Sequence, residues 1–505
     1  MNKKQSLLNV FISVFGKVGI LLVSLFYTRF LIQEISNDAN GLNNLFKSIL
    51  GVLAVAELGV GTAISFSMYK PIVDNDIKKV GALYNLFKKV YLIVSAVILV
   101  AGLIVLPFVP KLAKDNTLDT NIYLSFFIYL LSVCLTYFYS AKTSLINAYK
   151  KNYVTSFFNA IALIIEGAFQ IVILITTKNF IYFMLCRFIS VVIQFVLTEI
   201  FTRKTFKEIL LVKDKIDAET RKEVFKNTGA MFMHKIGNVL VNTVDSIIIS
   251  SFIGVGSLGS YSNYVLIMTA MTGVLTLFFS PLTSTIGQMC VKEDKESQIK
   301  YLHFFLTFNF IIGVIFFLGY FAIIDDFVKI FFGAELELEV TVVIVIVVNY
   351  FIQFMRQACL LFRDATGTFY NDRFKPIIEG VVNIGLSILL VQFIGIHGVL
   401  IATIATNLLI CHIIEPLILY KYHFKLKPFK YYAFTYGYMA VFVGLLFLTK
   451  LAHFSFDNLY VEILVNGSIA VAIGLVVLGL NVAFDKVFRQ YFISFFKKER
   501  LNAEN

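Results

Sequence analysis

Apolar runs of about twenty residues, parted by short polar segments, follow one another along nearly the whole chain. That is the length an α-helix needs to cross the ~30 Å hydrocarbon core of a bilayer. The runs lack the short alternating pattern of membrane β-strands, which excludes a barrel. Fourteen membrane helices are predicted, over residues 7–32, 41–68, 89–109, 121–146, 153–176, 179–202, 228–253, 257–288, 301–324, 337–362, 375–395, 397–420, 431–449 and 460–484. Lys3 and Lys4 precede the first run in the manner of a signal peptide, but no small-residue cleavage site follows and the run continues to Ile32, so it reads as a retained span.

Polar residues inside the runs reveal a repeat. Lys17, in Phe15-Gly16-Lys17-Val18-Gly19, is matched 218 residues later by Lys235, in Met233-His234-Lys235-Ile236-Gly237, and the same offset aligns Gly41 with Gly259. A cation within a span costs at least ~2.5–3.5 kcal/mol on insertion scales, so it ordinarily faces a partner, a cavity or a ligand. Spans 1–6 and 7–12 are therefore read as two six-helix lobes. Each has an even number of helices, so both have the same orientation, and a pseudo-two-fold axis should run along the membrane normal. The expected division is an N-lobe over 1–203, a basic amphipathic linker over 204–227, a C-lobe over 228–421, a two-helix pair over 422–484 and a basic tail over 485–505.

Composition agrees with this all-α polytopic reading. Hydrophobic residues make up 58% of the 505, charged residues 15%, and mean hydropathy is +0.81. The net charge of +12 could suggest nucleic acid, but its placement excludes that. With the amino terminus inside, about 33 Lys and Arg fall on the cytoplasmic side, about 5 outside and about 6 within spans, so both termini are expected in the cytoplasm. Phe206, Ile209, Leu210, Leu211 and Val212, among the basic residues of the linker, favour a helix lying on the anionic inner leaflet. The five cysteines are scattered, with neither a disulfide framework nor a zinc motif. Gly254-Val-Gly256-Ser-Leu-Gly259 matches a dinucleotide-binding pattern by letter only, since no βαβ unit surrounds it. No enzymatic motif is present, and no cofactor is expected beyond H⁺ or Na⁺ as a coupling ion.

The charged and amide residues within spans are the candidate site. Lys17 and Glu57 come to nearly the same depth, and two readings stand: a structural ion pair, or a ligand contact at Lys17 with a coupling-ion site at Glu57. Lys235 lies nearer the cytoplasmic end, where it either snorkels or faces a cavity. Arg29 and Lys47 lie near the outer ends of spans 1 and 2, with headgroup anchoring the leading reading for Arg29. Glu166 and Arg187 are expected to form a salt bridge. Asn238, Asn242 and Asp245 make a polar stripe on span 7 that should face a cavity, with Asp245 a second coupling-ion candidate. Arg356, with Gln353 and Gln357, either lines the cavity or anchors at the interface. Tyr420, Tyr422, Tyr431 and Tyr432 are read as interfacial anchors, and His303, His397 and His412 as packing residues.

Several short phrases stand out: Asp245-Ser-Ile-Ile-Ile-Ser-Ser-Phe-Ile-Gly254, Gly259-Ser-Tyr-Ser-Asn-Tyr264, Arg363-Asp-Ala-Thr-Gly-Thr-Phe369 running into Asp372–Glu379, Gly395-Ile-His-Gly398, and Glu57-Leu-Gly-Val-Gly61 with Tyr69-Lys70-Pro71. Together they resemble bacterial oligosaccharide flippases of the Wzx type, within the superfamily that also holds lipid II exporters and MATE multidrug antiporters. The resemblance implies a V-shaped pair of lobes in a bacterial cell membrane, opening alternately to each side. It implies an undecaprenyl-pyrophosphate-linked oligosaccharide as cargo for surface polysaccharide, with glycosyltransferases and a polymerase as partners. It also implies that the last two spans can form a groove for the lipid tail. A multidrug or metabolite antiporter, or a lipid II flippase on the same fold, is the alternative.

Overall fold

The computed structural model describes residues 3–57, 60–214, 216–217, 243–279 and 282–503. Among these the regular structure is all helical. The chain falls into two compact units, Met1–Ser262 and Asn263–Asn505.

The first unit holds α1 (Lys3–Glu34), α2 (Asn37–Leu53), α3 (Val60–Val73), α4 (Ile77–Val105), α5 (Ile122–Ala148), α6 (Asn152–Thr177), α7 (Arg187–Thr205) and α8 (Thr243–Ile253), and ends inside α9 (Val255–Phe279). Side-chain caps fix several starts by satisfying amide groups that have no partner within the helix. Ser36 accepts from Ala39 N ahead of α2, Asp76 from Lys79 N ahead of α4, and Asn121 from Leu124 N ahead of α5. Phe46, Phe126 and Phe183 are fully buried, and Phe46 meets Phe126 edge-on at 5.4 Å. Gly16 and Gly19 bring α1 against α6: a Cβ there would lie 3.1 Å from Ala160 and 3.0 Å from Ile164. Small residues permit such close approach where no hydrophobic effect drives helices together.

The second unit continues through α10 (Leu282–Lys292), α11 (Lys295–Phe331), α12 (Val340–Met355), α13 (Gln357–Thr366), α14 (Lys375–Thr406), α15 (His412–Leu419), α16 (Phe429–Leu451), α17 (Leu459–Phe484) and α18 (Lys486–Ala503). Its core is aromatic; Phe351 and Phe442 stack at 3.6 Å with Phe317 edge-on to Phe351.

Ten stretches among the described residues are long and apolar enough to cross a membrane. The one running Lys375–Phe424 has 50 residues and would be ~75 Å long as a single helix, over twice one crossing. It turns at Ile394 and Gly395, the latter at φ +57°, where the sequence parts spans 11 and 12. Expected span 2 is interrupted rather than continuous: α2 passes into one tight 3₁₀ turn, Ala54–Glu57, before α3 begins. Exposed apolar side chains such as Val100, Ile104 and Val172 in one unit, and Leu464, Leu475 and Val476 in the other, suit a hydrocarbon solvent.

Three local expectations change. Of the apolar residues expected on the leaflet, Phe206 and Ile209 are buried and Val212 packs on α4, where a Cβ on Gly81 would lie 2.4 Å from Val212 Cβ, while Leu211 is exposed. Tyr420 and Tyr431 are buried neighbours, not interfacial anchors, with ring centroids 6.0 Å apart. His303 is paired through Nε2 with Asp485 Oδ2 at 2.7 Å, and so is more than a packing residue.

Candidate functional site

Glu57 closes the 3₁₀ turn that interrupts span 2. An interruption at membrane depth frees backbone groups, and is tolerated where protein or a water-lined cavity satisfies them. The Glu57 carboxylate accepts a hydrogen bond from Tyr137 Oη at 2.9 Å. Tyr137 stacks on Tyr91, whose hydroxyl meets Ser144 Oγ at 3.1 Å. Among the ion pairs of the described residues, none within 4.0 Å joins Glu57 to Lys17. The glycines flanking Lys17 face α6, which turns the lysine aside, and its side chain is exposed.

Lys47 is the exposed residue of an otherwise buried stretch of α2. It lies ten residues beyond Asn37, the first residue of the helix, or ~15 Å along the axis. Asn40, Asn44 and Lys47 recur at helical spacing, and Asn44 Nδ2 donates to Asn40 Oδ1 at 3.0 Å. Asn40 itself is buried and donates to Gly259 O, so it is the exposed Lys47 ammonium that is unsuited to hydrocarbon and suited to an aqueous cavity. Arg29 on α1 is half-buried.

The expected Glu166–Arg187 salt bridge is replaced by other partners. Arg187 sits over the Tyr129 ring, with Cζ 3.7 Å from the centroid, and donates to Tyr129 Oη at 2.7 Å. Glu166, buried, accepts from Gln170 Nε2 at 3.1 Å. The cation–π contact and the hydroxyl hold the guanidinium directly, while Glu166 acts on it only through space, with no pair within 4.0 Å.

In the second unit a balanced ionic cluster surrounds Arg356. Its Nε and Nη2 donate to the two Glu415 oxygens at 3.1 and 2.6 Å, and Nη1 donates to Asn407 Oδ1 at 2.8 Å. Lys375 Nζ donates to Glu379 Oε2 at 2.8 Å and Glu415 Oε1 at 2.7 Å. Arg363 donates to Asp372 Oδ2 at 2.9 Å and lies 4.0 Å from Glu415. Three cations thus face three buried carboxylates. Bidentate geometry and shared oxygens are what make such burial tolerable. The cluster holds α12, α13, α14 and α15 together, and the charge of Arg356 is neutralised inside it.

Asp245 is buried on α8. Lys235, Asn238 and Asn242 lie outside the described residues. The structure therefore brings Lys47, with Asn40 and Asn44, onto one stripe, leaves Lys17 apart from Glu57, and places Arg356 within a neutral cluster. Tyr137, Lys375, Glu379 and Glu415 are contributors that sequence reasoning misses. Glu415 carries a visible signal, an acid between Ile414 and Pro416 in an apolar run.

No protein-family profile matches the sequence, and no curated protein matches it. Solved structures do match in fold. The lipid II flippase MurJ, in an inward closed conformation, aligns with a TM-score of 0.67 and 14% identity over 94% of this chain and 99% of that one. The MATE multidrug transporter DinF-BH, in a ligand complex, gives 0.57 and 15% over 85% and 98%. An inward-facing multidrug resistance MATE transporter of the MOP superfamily gives 0.54 and 14% over 78% and 95%. The chain shares the fold of these MOP-superfamily transporters, an all-helical multi-pass membrane fold.

Proposed function

We propose that this chain flips a polyprenyl-diphosphate-linked glycan from the inner to the outer leaflet of a bacterial cell membrane, with both termini in the cytoplasm. The observation that carries the reading is an apolar groove of about 610 Å³ between α11 and α17, lined by Ile315, Phe316, Ile323, Leu464, Val471 and Leu475. Such a groove offers a polyprenyl tail a path while its polar head crosses elsewhere. Coverage points the same way. The flippase alignment leaves about 6% of 505 residues, roughly 30, outside it, fewer than α16 and α17 contain, so it takes in part of that pair. The multidrug alignments leave 15% and 22% uncovered.

The head group is a diphosphate, and Lys47 and Lys17 are exposed cations suited to it, with Arg29 and Lys235 as further candidates. Asn238 and Asn242 suit the sugar hydroxyls. Arg356, already paired, serves by holding its helices. Lipid II and an undecaprenyl-pyrophosphate-linked oligosaccharide share this chemistry; the MurJ likeness favours the former, and a role in capsule, O-antigen or exopolysaccharide synthesis would follow from the latter. Inside-negative voltage favours outward movement of each negative charge by ~2.3 kcal/mol per 100 mV. H⁺ or Na⁺ entering at Glu57 or Asp245 is the other source of drive.

A multidrug antiporter is the second reading, supported by the MATE alignments. Cationic drugs call for open carboxylates, whereas Glu379 and Glu415 are held by cations and Glu57 by Tyr137. Binding to purified protein separates the two. Lipid II or an undecaprenyl-pyrophosphate disaccharide should raise the unfolding temperature and displace one another, while a cationic rhodamine dye should do neither. Saturable dye binding without lipid-diphosphate binding would favour the antiporter.

A further inference from the structure

At the opposite end of the second unit from its basic tail, three side chains from distant parts of the chain converge. Asp326 comes from the last turns of α11, His453 from the turn after α16, and Glu462 from the first turn of α17. One ligating atom from each lies within 4.8 Å of the other two. We infer that Asp326, His453 and Glu462 form a site for a divalent transition-metal ion, Zn²⁺ foremost, which clamps α11 to the α16–α17 hairpin.

The hydrogen bonding leaves ligating atoms for this purpose. Asp326 is 3% exposed, and its buried Oδ2 has no hydrogen-bond partner. The other oxygen, Oδ1, lies 3.9 Å from Lys329 Nζ, and that lysine is held more closely by Glu337 at 3.1 Å. An orphaned carboxylate oxygen in a buried place is costly unless something arrives to satisfy it. Glu462 uses Oε2 to accept from Phe456 N at 3.0 Å, and its Oε1 faces His453 Nε2 at 3.8 Å. Asn466 braces the turn: its Oδ1 accepts from Phe454 N at 3.0 Å, and its Nδ2 lies 2.9 Å from Phe454 O and 3.2 Å from His453 Nε2. Donation from Asn466 requires a lone pair on that nitrogen, the same lone pair a metal would take. Asn466 would retain its bond to Phe454.

Spacing and charge suit an ion. Ligands ~2.1 Å from a tetrahedral ion lie ~3.4 Å apart, so the 3.8 Å pair is nearly in place and side-chain rotation would gather the third. Two carboxylates and a neutral imidazole neutralise a divalent cation, while Lys329 stays on the far oxygen with Glu337. Imidazole with carboxylates suits Zn²⁺ or Mn²⁺, and Zn²⁺ binds more tightly in the usual affinity order. His453 is 37% exposed, which gives an ion a way in and water a fourth position. Ile323 and Ile463, beside Asp326 and Glu462, line the apolar groove, so the clamp would close one end of it. The inference rests on this geometry and stands whether or not the cargo is a lipid-linked glycan.

The test uses the full chain, freed of any affinity tag and washed with chelator, in detergent. Elemental analysis after equilibration with Zn²⁺ should find about one ion per chain, with a raised unfolding temperature that Mg²⁺ does not reproduce. His453→Ala lies in an exposed turn and leaves the helices untouched; together with Glu462→Gln it should weaken zinc binding by at least the roughly 10–100-fold that follows loss of supporting groups around a metal. Asp326→Asn should behave alike. No bound zinc in the wild type, or equal zinc content and stabilisation in His453→Ala, would overturn the assignment.

Discussion

Gly41 and Gly259 make the same contact from opposite sides of one crossing. A Cβ on Gly41 would lie 2.0 Å from Val255 O, and a Cβ on Gly259 would lie 2.5 Å from Asn37 O. Val255 stands 218 residues after Asn37, as Gly259 does after Gly41, so each glycine packs on the repeat equivalent of the other's partner. Reciprocal contacts of this kind are the signature of two-fold symmetry. Asn37 Nδ2 donates to Gly256 O at 2.8 Å and Asn40 Nδ2 to Gly259 O at 3.2 Å, which ties the crossing of α2 and α9 together.

Symmetry makes the first prediction. Gly41→Ala and Gly259→Ala each push a methyl group into a backbone carbonyl that cannot rotate away, and overpacking of this sort costs roughly 1–3 kcal/mol. Both variants should lose thermal stability to a similar degree in detergent. Unimpaired stability in both would mean a looser crossing.

The ionic cluster makes the second. Arg356→Ala would leave Glu415 buried without its bidentate partner, and breaking a buried pair costs about 3–5 kcal/mol. A double replacement, Arg356→Met with Glu415→Gln, should recover part of that loss in a thermal unfolding series. Because the charge is already neutralised, cargo affinity of whatever folded Arg356→Lys protein is obtained should stay near wild type. A selective loss of cargo binding at unchanged stability would instead make Arg356 a cargo contact.

Lys47 should behave in the opposite way. Lys47→Gln removes an exposed charge and should leave the unfolding temperature unchanged, but weaken binding of a diphosphate-linked lipid. A hydrogen bond to a charged group is worth ~1.5–3 kcal/mol, or roughly 10–100-fold in affinity. Titration of the lipid against both proteins reads this directly, and equal affinities would remove Lys47 from the site.

Much of the fold is legible in the sequence because span length and apolar runs report the bilayer itself. Even the turn near Gly395 falls where the run shows it, since only a residue free to adopt φ +57° reverses the chain so tightly there. Side-chain azimuth is another matter. Equal depth suggests a Lys17–Glu57 pair, but depth says nothing of direction, and Gly16 and Gly19 turn Lys17 away from any such partner. The Arg356 cluster gathers charges from the α12–α13 junction at Arg356 to Glu415 on α15, and only the i, i+4 pair Lys375–Glu379 is local enough to be seen in the sequence. Nor does residue texture separate one cargo branch from another, because a diphosphate needs the same cations whatever sugar it bears.

Transport itself is open to one direct measurement. Proteoliposomes made with the purified chain would be loaded with fluorescent lipid II or an undecaprenyl-pyrophosphate oligosaccharide, and movement between leaflets followed by a membrane-impermeant quencher. A lipid-linked glycan flippase should give rapid leaflet exchange that depends on the protein and falls in Lys47→Gln at unchanged protein incorporation. Exchange no faster than in protein-free vesicles, across imposed voltage, proton and sodium gradients, would contradict that function.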